Sequence, residues 1–167
     1  MDLGDKRILR RYIVCDPEKC LGCQICEFVC SATKEKSCDP SLSRIRVANF
    51  EPTGSMAIAC LFCENPPCVA ACPRDALTQS EQTGLIIVNE DACNGCGWCL
   101  EVCRFGALAW HPTKSSVLTC DLCDGDPECV KFCPFEDALV FGTLEDVARK
   151  FEKKTVVQLL QELITKP

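Results

Sequence analysis

The chain has 167 residues with 18 cysteines, a single histidine, few aromatics and a formal net charge of −6. That size allows one or two small domains with little room for an apolar core, and the acidic balance argues against nucleic acid or an anionic membrane as a partner. No apolar stretch approaches membrane-spanning length and no cleavable apolar signal opens the chain, so intact thiols and the cytoplasm are the expectation.

Arg10-Arg11 is followed too soon by charge for a twin-arginine signal. Tyr12-Ile13-Val14 reads as a strand before Asp16-Pro17, with Cys15 behind it as a small buried hydrophobe. The first cysteine quartet follows: Cys20, Cys23, Cys26 and Cys30 in CLGCQICEFVC. Cys38 sits in a polar loop before the turn Asp39-Pro40, and Arg44 to Val47 alternates as a strand. Glu51-Pro52 and Thr53-Gly54 mark turns before the second quartet, Cys60, Cys63, Cys68 and Cys72 in CLFCENPPCVAACP. Leu85 to Val88 is a strand leading to the third, Cys93, Cys96, Cys99 and Cys103 in CNGCGWCLEVC, where Gly95 and Gly97 would bring backbone amides near cluster sulfurs. His111 precedes a proline and reads as a surface or cap residue. Val117-Leu118 is a short strand before the fourth quartet, Cys120, Cys123, Cys129 and Cys133 in CDLCDGDPECVKFCP, and Leu139 to Phe141 is another.

Beyond Phe141 a helix is expected, capped by Thr143 with Asp146 as box partner. Leu144, Val147, Ala148 and Phe151 form one apolar stripe. Val156, Leu159, Leu160 and Leu163 form a second, rotated around the axis. A small body offers little surface to cover both, which points to contact with a neighbouring subunit, a head-to-tail copy of this chain included.

The first and third quartets have the C-x2-C-x2-C-x3-C run of bacterial ferredoxins. Three cysteines on one curled loop can hold three irons of a cubane cluster, while the fourth, a helical turn away, reaches the neighbouring cluster. Three cysteines within seven residues cannot all reach distant disulfide partners without strain, and a structural zinc site, the better rival, prefers two separated C-x2-C pairs. Sixteen thiolates suffice for four 4Fe–4S clusters, which would bring the loaded charge to about −14. No acid–base pair, nucleophile or phosphate loop is present, so no catalytic residue is assigned.

The repeated pattern of cysteines, short helix and strand between Cys60 and Trp110 is an internal duplication whose halves are each too small to enclose a cluster. Cys60, Cys63 and Cys68 are therefore expected to bind one cluster with Cys103, and Cys93, Cys96 and Cys99 the next with Cys72. The outer quartets then pair across this insert: Cys20, Cys23 and Cys26 with Cys133, and Cys120, Cys123 and Cys129 with Cys30. Spacing also allows the first quartet to pair with the second and the third with the fourth. The fold expected is α+β: a split ferredoxin-like module (1–55 plus 111–142) around a continuous one (56–110), then a C-terminal helix (143–167) for subunit contact.

At these motifs the chain resembles the polyferredoxin electron-transfer subunits that accompany molybdenum and tungsten oxidoreductases, over roughly Ile13 to Phe141. DPEKCLGCQICEFVC, LSRIRV and CDLCDGDPECVKFCP look most like the small iron–sulfur subunit of tungsten aldehyde oxidoreductases of the aldehyde:ferredoxin type, and benzoyl-CoA reductase relatives carry similar subunits. The resemblance implies a non-catalytic subunit with a near-linear row of clusters and a large tungsten- or molybdenum-cofactor partner. It further implies a flavin-containing NAD-reducing subunit or a ferredoxin as acceptor. The equivalent subunit of a formate dehydrogenase, hydrogenase or carbon monoxide dehydrogenase, a free soluble polyferredoxin, and a zinc adaptor are the rival readings. The chain departs from the ferredoxin pattern where Ser31 and Arg104 follow Cys30 and Cys103 in place of proline. Arg104 should favour cluster reduction, and Asp121, Asp124, Asp126 and Glu128 should disfavour it.

Overall fold

The structure, a computed structural model, describes residues 10–50, 54–151 and Ile164. Its strands form four two-stranded antiparallel sheets. β1 (Tyr12–Cys15) is buried along its whole length and pairs with β8 (Leu139–Gly142), Tyr12 opposite Gly142 and Cys15 opposite Leu139. That ladder joins the two chain segments that flank all the cysteine quartets.

β2 (Arg46–Phe50) pairs with β3 (Gly54–Ile58). The strand expected from Arg44 begins two residues late because the preceding backbone is engaged elsewhere: Arg44 N donates to Cys30 Sγ at 3.2 Å, and Ile45 N to Ser43 Oγ at 3.2 Å. The Asp39-Pro40 turn opens a 3-10 helix, Pro40–Leu42, with Asp39 accepting from Ser41 N at 2.9 Å. Of the two following turns, Glu51 to Thr53 lie outside the described residues.

β4 (Leu77–Gln79) pairs with β5 (Ile86–Val88), and β6 (Ala109–Trp110) with β7 (Val117–Leu118). The second hairpin continues to His111 N, which donates to Ser116 O at 2.9 Å. The expected boundary between residues 110 and 111 lies within this hairpin.

Among the described residues the longest helix is the first. α1 (Ile25–Glu35) runs 11 residues through Cys26 and Cys30. α2 (Pro67–Ala70), α3 (Trp98–Glu101) and α4 (Glu128–Lys131) have four residues each. α5 (Leu144–Phe151) starts in the expected capping box: Asp146 N donates to Thr143 Oγ1 at 3.2 Å, and Thr143 N returns to Asp146 Oδ2 at 3.0 Å. Its first stripe packs on the body, with Val147 and Phe151 buried. The second stripe lies outside the described residues. Ile164 is buried, and its carbonyl accepts from Glu64 N at 3.3 Å, so a subunit-contact role for the tail does not extend to that residue.

The apolar side chains gather in two clusters. One holds Ile13, Val14, Ile45, Phe62, Val140 and Val147, and the other Ala76, Leu77, Ile86, Leu108 and Val117. Cysteines of the quartets are embedded in both.

Candidate metal centres

Each cysteine loop curls because selected residues take left-handed backbone. Gly22 and Gln24 do so in the first quartet, Phe62 in the second, Gly95 and Gly97 in the third, and Leu122, Cys123 and Asp124 in the fourth. The curl turns successive thiols inward, where an extended chain would alternate them. Gly97 also has a steric reason: a Cβ there would meet Trp110 Cζ2 at 2.4 Å. The indole thus rests on this loop, a role for the glycine distinct from the amide approach expected of it. A second repeat follows the fourth cysteines, where Asp75, Gly106 and Asp137 are left-handed. At two of these the turn aims an amide at the sulfur: Ala76 N donates to Cys72 Sγ at 3.3 Å and Ala107 N to Cys103 Sγ at 3.4 Å.

Four sets of thiols result. Cys20, Cys23, Cys26 and Cys133 line one cavity (the Cys23 set). Cys60, Cys63, Cys68 and Cys103 line a second (the Cys63 set). Cys72, Cys93, Cys96 and Cys99 line a third (the Cys96 set). Cys30, Cys120, Cys123 and Cys129 form the Cys123 set, drawn together closely enough to act on one another: the Cys129 thiol is raised by burial, then by Cys120, Cys30 and Cys123. Among the described residues, no group of three or more His, Cys, Asp or Glu side chains could hold a single metal ion; the thiols of each cavity surround a space rather than converge on a point.

The sets also act on one another. Cys26 of the Cys23 set adds to the field on Cys129. Cys60, its pKa raised first by burial, feels Cys120. Cys68 is pushed up to about 11 by burial, then by Cys103 and Cys63, with Cys99 contributing. Neighbours therefore run from the Cys23 set to the Cys123 set, the Cys63 set and the Cys96 set. The two outermost sets each hold an exposed cysteine, Cys23 and Cys96.

The donor chemistry fits iron–sulfur clusters. Burial pushes Cys26 and Cys120 up to about 12 and Cys99 to about 11, so these thiols ionise at neutral pH only against a cation, and metal coordination deprotonates a thiol outright. Cys72 moves the other way: burial opposes its ionisation, but the amides of Arg74, Ala76 and Leu77 outweigh it and hold the thiol below the usual range.

The remaining candidates fall outside these sets. Cys15 is buried, accepts from Ala57 N at 3.2 Å and is pushed up to about 12, first by burial. Cys38 is exposed. His111 does cap a turn, its Nδ1 accepting from Thr113 N at 3.3 Å and Lys114 N at 3.2 Å, but it is buried rather than at the surface. Asp121 pairs with Lys34 at 2.5 Å, and Lys131 pairs with Asp126 and Glu128, so two lysines partly offset the acidic loop. Arg10 carries no sign of a site role in the sequence. Its Nη1 donates to Phe62 O at 2.6 Å, a contact made across the fold. Ser31 replaces proline because α1 continues for another turn, with Ser31 Oγ donating to Phe28 O at 3.0 Å. Among the described residues no helix is long and apolar enough to cross a membrane.

Residues 53–144 match the 4Fe-4S dicluster domain family. The polyferredoxin-like subunit of an aliphatic sulfonate oxidoreductase from Pyrococcus furiosus is 40% identical over 148 residues, covering 86% of each chain. A subunit of the anaerobic dimethyl sulfoxide reductase of Escherichia coli is 31% identical over 176 residues, covering 91% of this chain and 83% of its own. Among solved structures, the BamBC active site complex of benzoyl coenzyme A reductase with benzoyl-CoA contains a polypeptide 24% identical, with a TM-score of 0.48, covering 90% of this chain and 96% of that one.

Proposed function

Because the chain belongs to the 4Fe-4S dicluster domain family, we propose that it relays electrons through four 4Fe–4S clusters between a tungsten- or molybdenum-cofactor catalytic subunit and an acceptor. It is an iron–sulfur electron-transfer subunit of an oxidoreductase, not a catalytic one. In this proposal the Cys23, Cys63, Cys96 and Cys123 sets each hold one cluster, with the fourth ligand drawn from another quartet. The clusters supply one-electron redox centres. The chain's own residues keep the thiols in place, exclude water and donate amides to the sulfurs of Cys30, Cys72 and Cys103.

The observation that carries this reading is the succession of four thiol sets with an exposed cysteine at each outer set. A relay needs centres that neighbour one another and two ends within reach of partners, and the electrostatic influence of Cys26 on Cys129, Cys120 on Cys60 and Cys99 on Cys68 supports that order. The catalytic partner proposed is a tungsten aldehyde oxidoreductase of the aldehyde:ferredoxin type. A sulfonate oxidoreductase is the second reading, favoured by the 40% identity to the Pyrococcus furiosus subunit. A flavin-containing NAD-reducing subunit or a ferredoxin would accept the electrons. The proposed compartment is the cytoplasm, where thiols stay reduced, and the tail apart from the buried Val147, Phe151 and Ile164 is the proposed subunit contact.

Anaerobic purification through a tag on this chain tests the proposal. A large subunit containing tungsten or molybdenum should co-purify, and its activity with an aldehyde or an alkanesulfonate decides between the two readings. Recovery of this chain alone with its full iron would make it a free carrier and overturn the subunit assignment.

A further inference from the structure

Both ends of the described chain meet on the loop that carries Cys63. Arg10 donates to Phe62 O at 2.6 Å, and Ile164 O accepts from Glu64 N at 3.3 Å. Arg10 is half-buried and held against Gly84, where a Cβ would meet its Nε at 2.9 Å. Arg104 lines the cavity of the Cys63 set from the other side of the sequence. Arg10 thus reaches the backbone next to Cys63 and Arg104 directly follows Cys103, so both guanidiniums stand at this set. Glu64, exposed beside Cys63, is the one carboxylate next to it in the chain.

The adjoining Cys123 set has the opposite surroundings. Four carboxylates, Asp121, Asp124, Asp126 and Glu128, stand in its loop against three cations, Lys34, Lys131 and Arg11, whose Nη1 would lie 3.9 Å from a Cβ at Gly125. Reduction adds one negative charge to a cluster, so a nearby cation favours it and a nearby anion opposes it.

We propose that Arg10 and Arg104 make the cluster of the Cys63 set more readily reduced than its neighbour in the Cys123 set, so that electrons rest on the cluster of the Cys63 set. This rests on the cluster reading above. The two arginines are positioning residues for the field and touch no substrate. Exposed Arg104 is screened by salt, whereas half-buried Arg10 is screened less.

The test is a redox titration of the intact anaerobic protein followed by electron paramagnetic resonance, with iron content measured on each sample. Arg10→Gln and Arg104→Gln should each move the same single midpoint potential to a more negative value. A tenfold change in the reduction equilibrium corresponds to about 59 mV for one electron. Arg10→Lys should restore the wild-type potential, and the Arg104→Gln shift should shrink at high salt. Full iron with no potential moved, or Arg10→Lys behaving like Arg10→Gln, overturns the proposal while leaving the cluster reading intact. Should Arg10→Gln fail to load iron, the exposed Arg104→Gln variant still decides it. Wild-type protein without iron–sulfur clusters overturns both.

Discussion

Lys34 Nζ donates to Asp121 Oδ2 at 2.5 Å, tying the helix that carries Cys26 and Cys30 to the loop that carries Cys120 and Cys123. The pair links two segments distant in sequence at the point where the Cys123 set takes thiols from both. Lys34 is mostly covered, but about half of the Asp121 side chain is exposed (18% and 49% accessible), so a coupling of at most about 1 kcal/mol is expected. Bleaching rates in denaturant for Lys34→Met, Asp121→Asn and the double variant measure it. Each single variant should bleach faster and the double variant no faster than the worse single. Fully multiplicative effects would show that the two side chains act independently.

Ser31 and Arg104 occupy equivalent places after a fourth cysteine, but only Ser31 lies inside a helix. Ser31→Pro should break α1 and cost about 3 kcal/mol, with loss of helical circular dichroism and of iron. Arg104→Pro should keep its iron, because α3 ends at Glu101 and proline stands at the matching positions Pro73 and Pro134. Equal tolerance at both positions would contradict this account of the departures from the ferredoxin pattern.

Gly97 and Gly106 both have positive φ, at +84° and +61°, but only Gly97 faces a side chain. Gly106→Ala should cost the left-handed penalty alone, about 1–2 kcal/mol. Gly97→Ala adds displacement of Trp110, and it should be the less stable variant with an altered near-ultraviolet spectrum. A Gly97→Ala protein as stable as Gly106→Ala would mean that the indole does not rest on the Cys93–Cys99 loop.

The cap of α5 gives a pH dependence. Thr143's hydroxyl, then its amide, with Arg149 and Arg11, hold the Asp146 carboxyl below the usual carboxylate range. A depressed carboxylate contributes stability that is complete above its unfolded value, about 3.9, and lost as pH falls through the lower folded value. Brief digestion with an acid-tolerant protease should show α5 opening across that window in the wild type. Asp146→Asn should open α5 more at neutral pH and show no such acid limb. An unchanged limb in Asp146→Asn would assign it to another group.

Much of the site is legible in the sequence because cysteine spacing is a covalent property of the chain. The quartets, the apolar strands Tyr12–Cys15 and Leu139–Gly142, and the Thr143–Asp146 box all carry local signals. β3 does not: Gly-Ser-Met-Ala-Ile has no clear alternation and becomes a strand by pairing with β2. The start of β2 is not legible because Arg44's amide is diverted to Cys30 Sγ, and His111 is buried by the hairpin it extends. Arg10 on Phe62 and Ile164 on Glu64 are tertiary contacts with no local signature.

Diffraction at the iron edge from anaerobically grown crystals of the holoprotein is the most direct test of the central claim. Four clusters of four irons are predicted, in the order of the Cys23, Cys123, Cys63 and Cys96 sets, with Cys30 bonded to the cluster of Cys120, Cys123 and Cys129. Cys30 on the same cluster as Cys20, fewer than four clusters, or single zinc ions in their place would contradict the account.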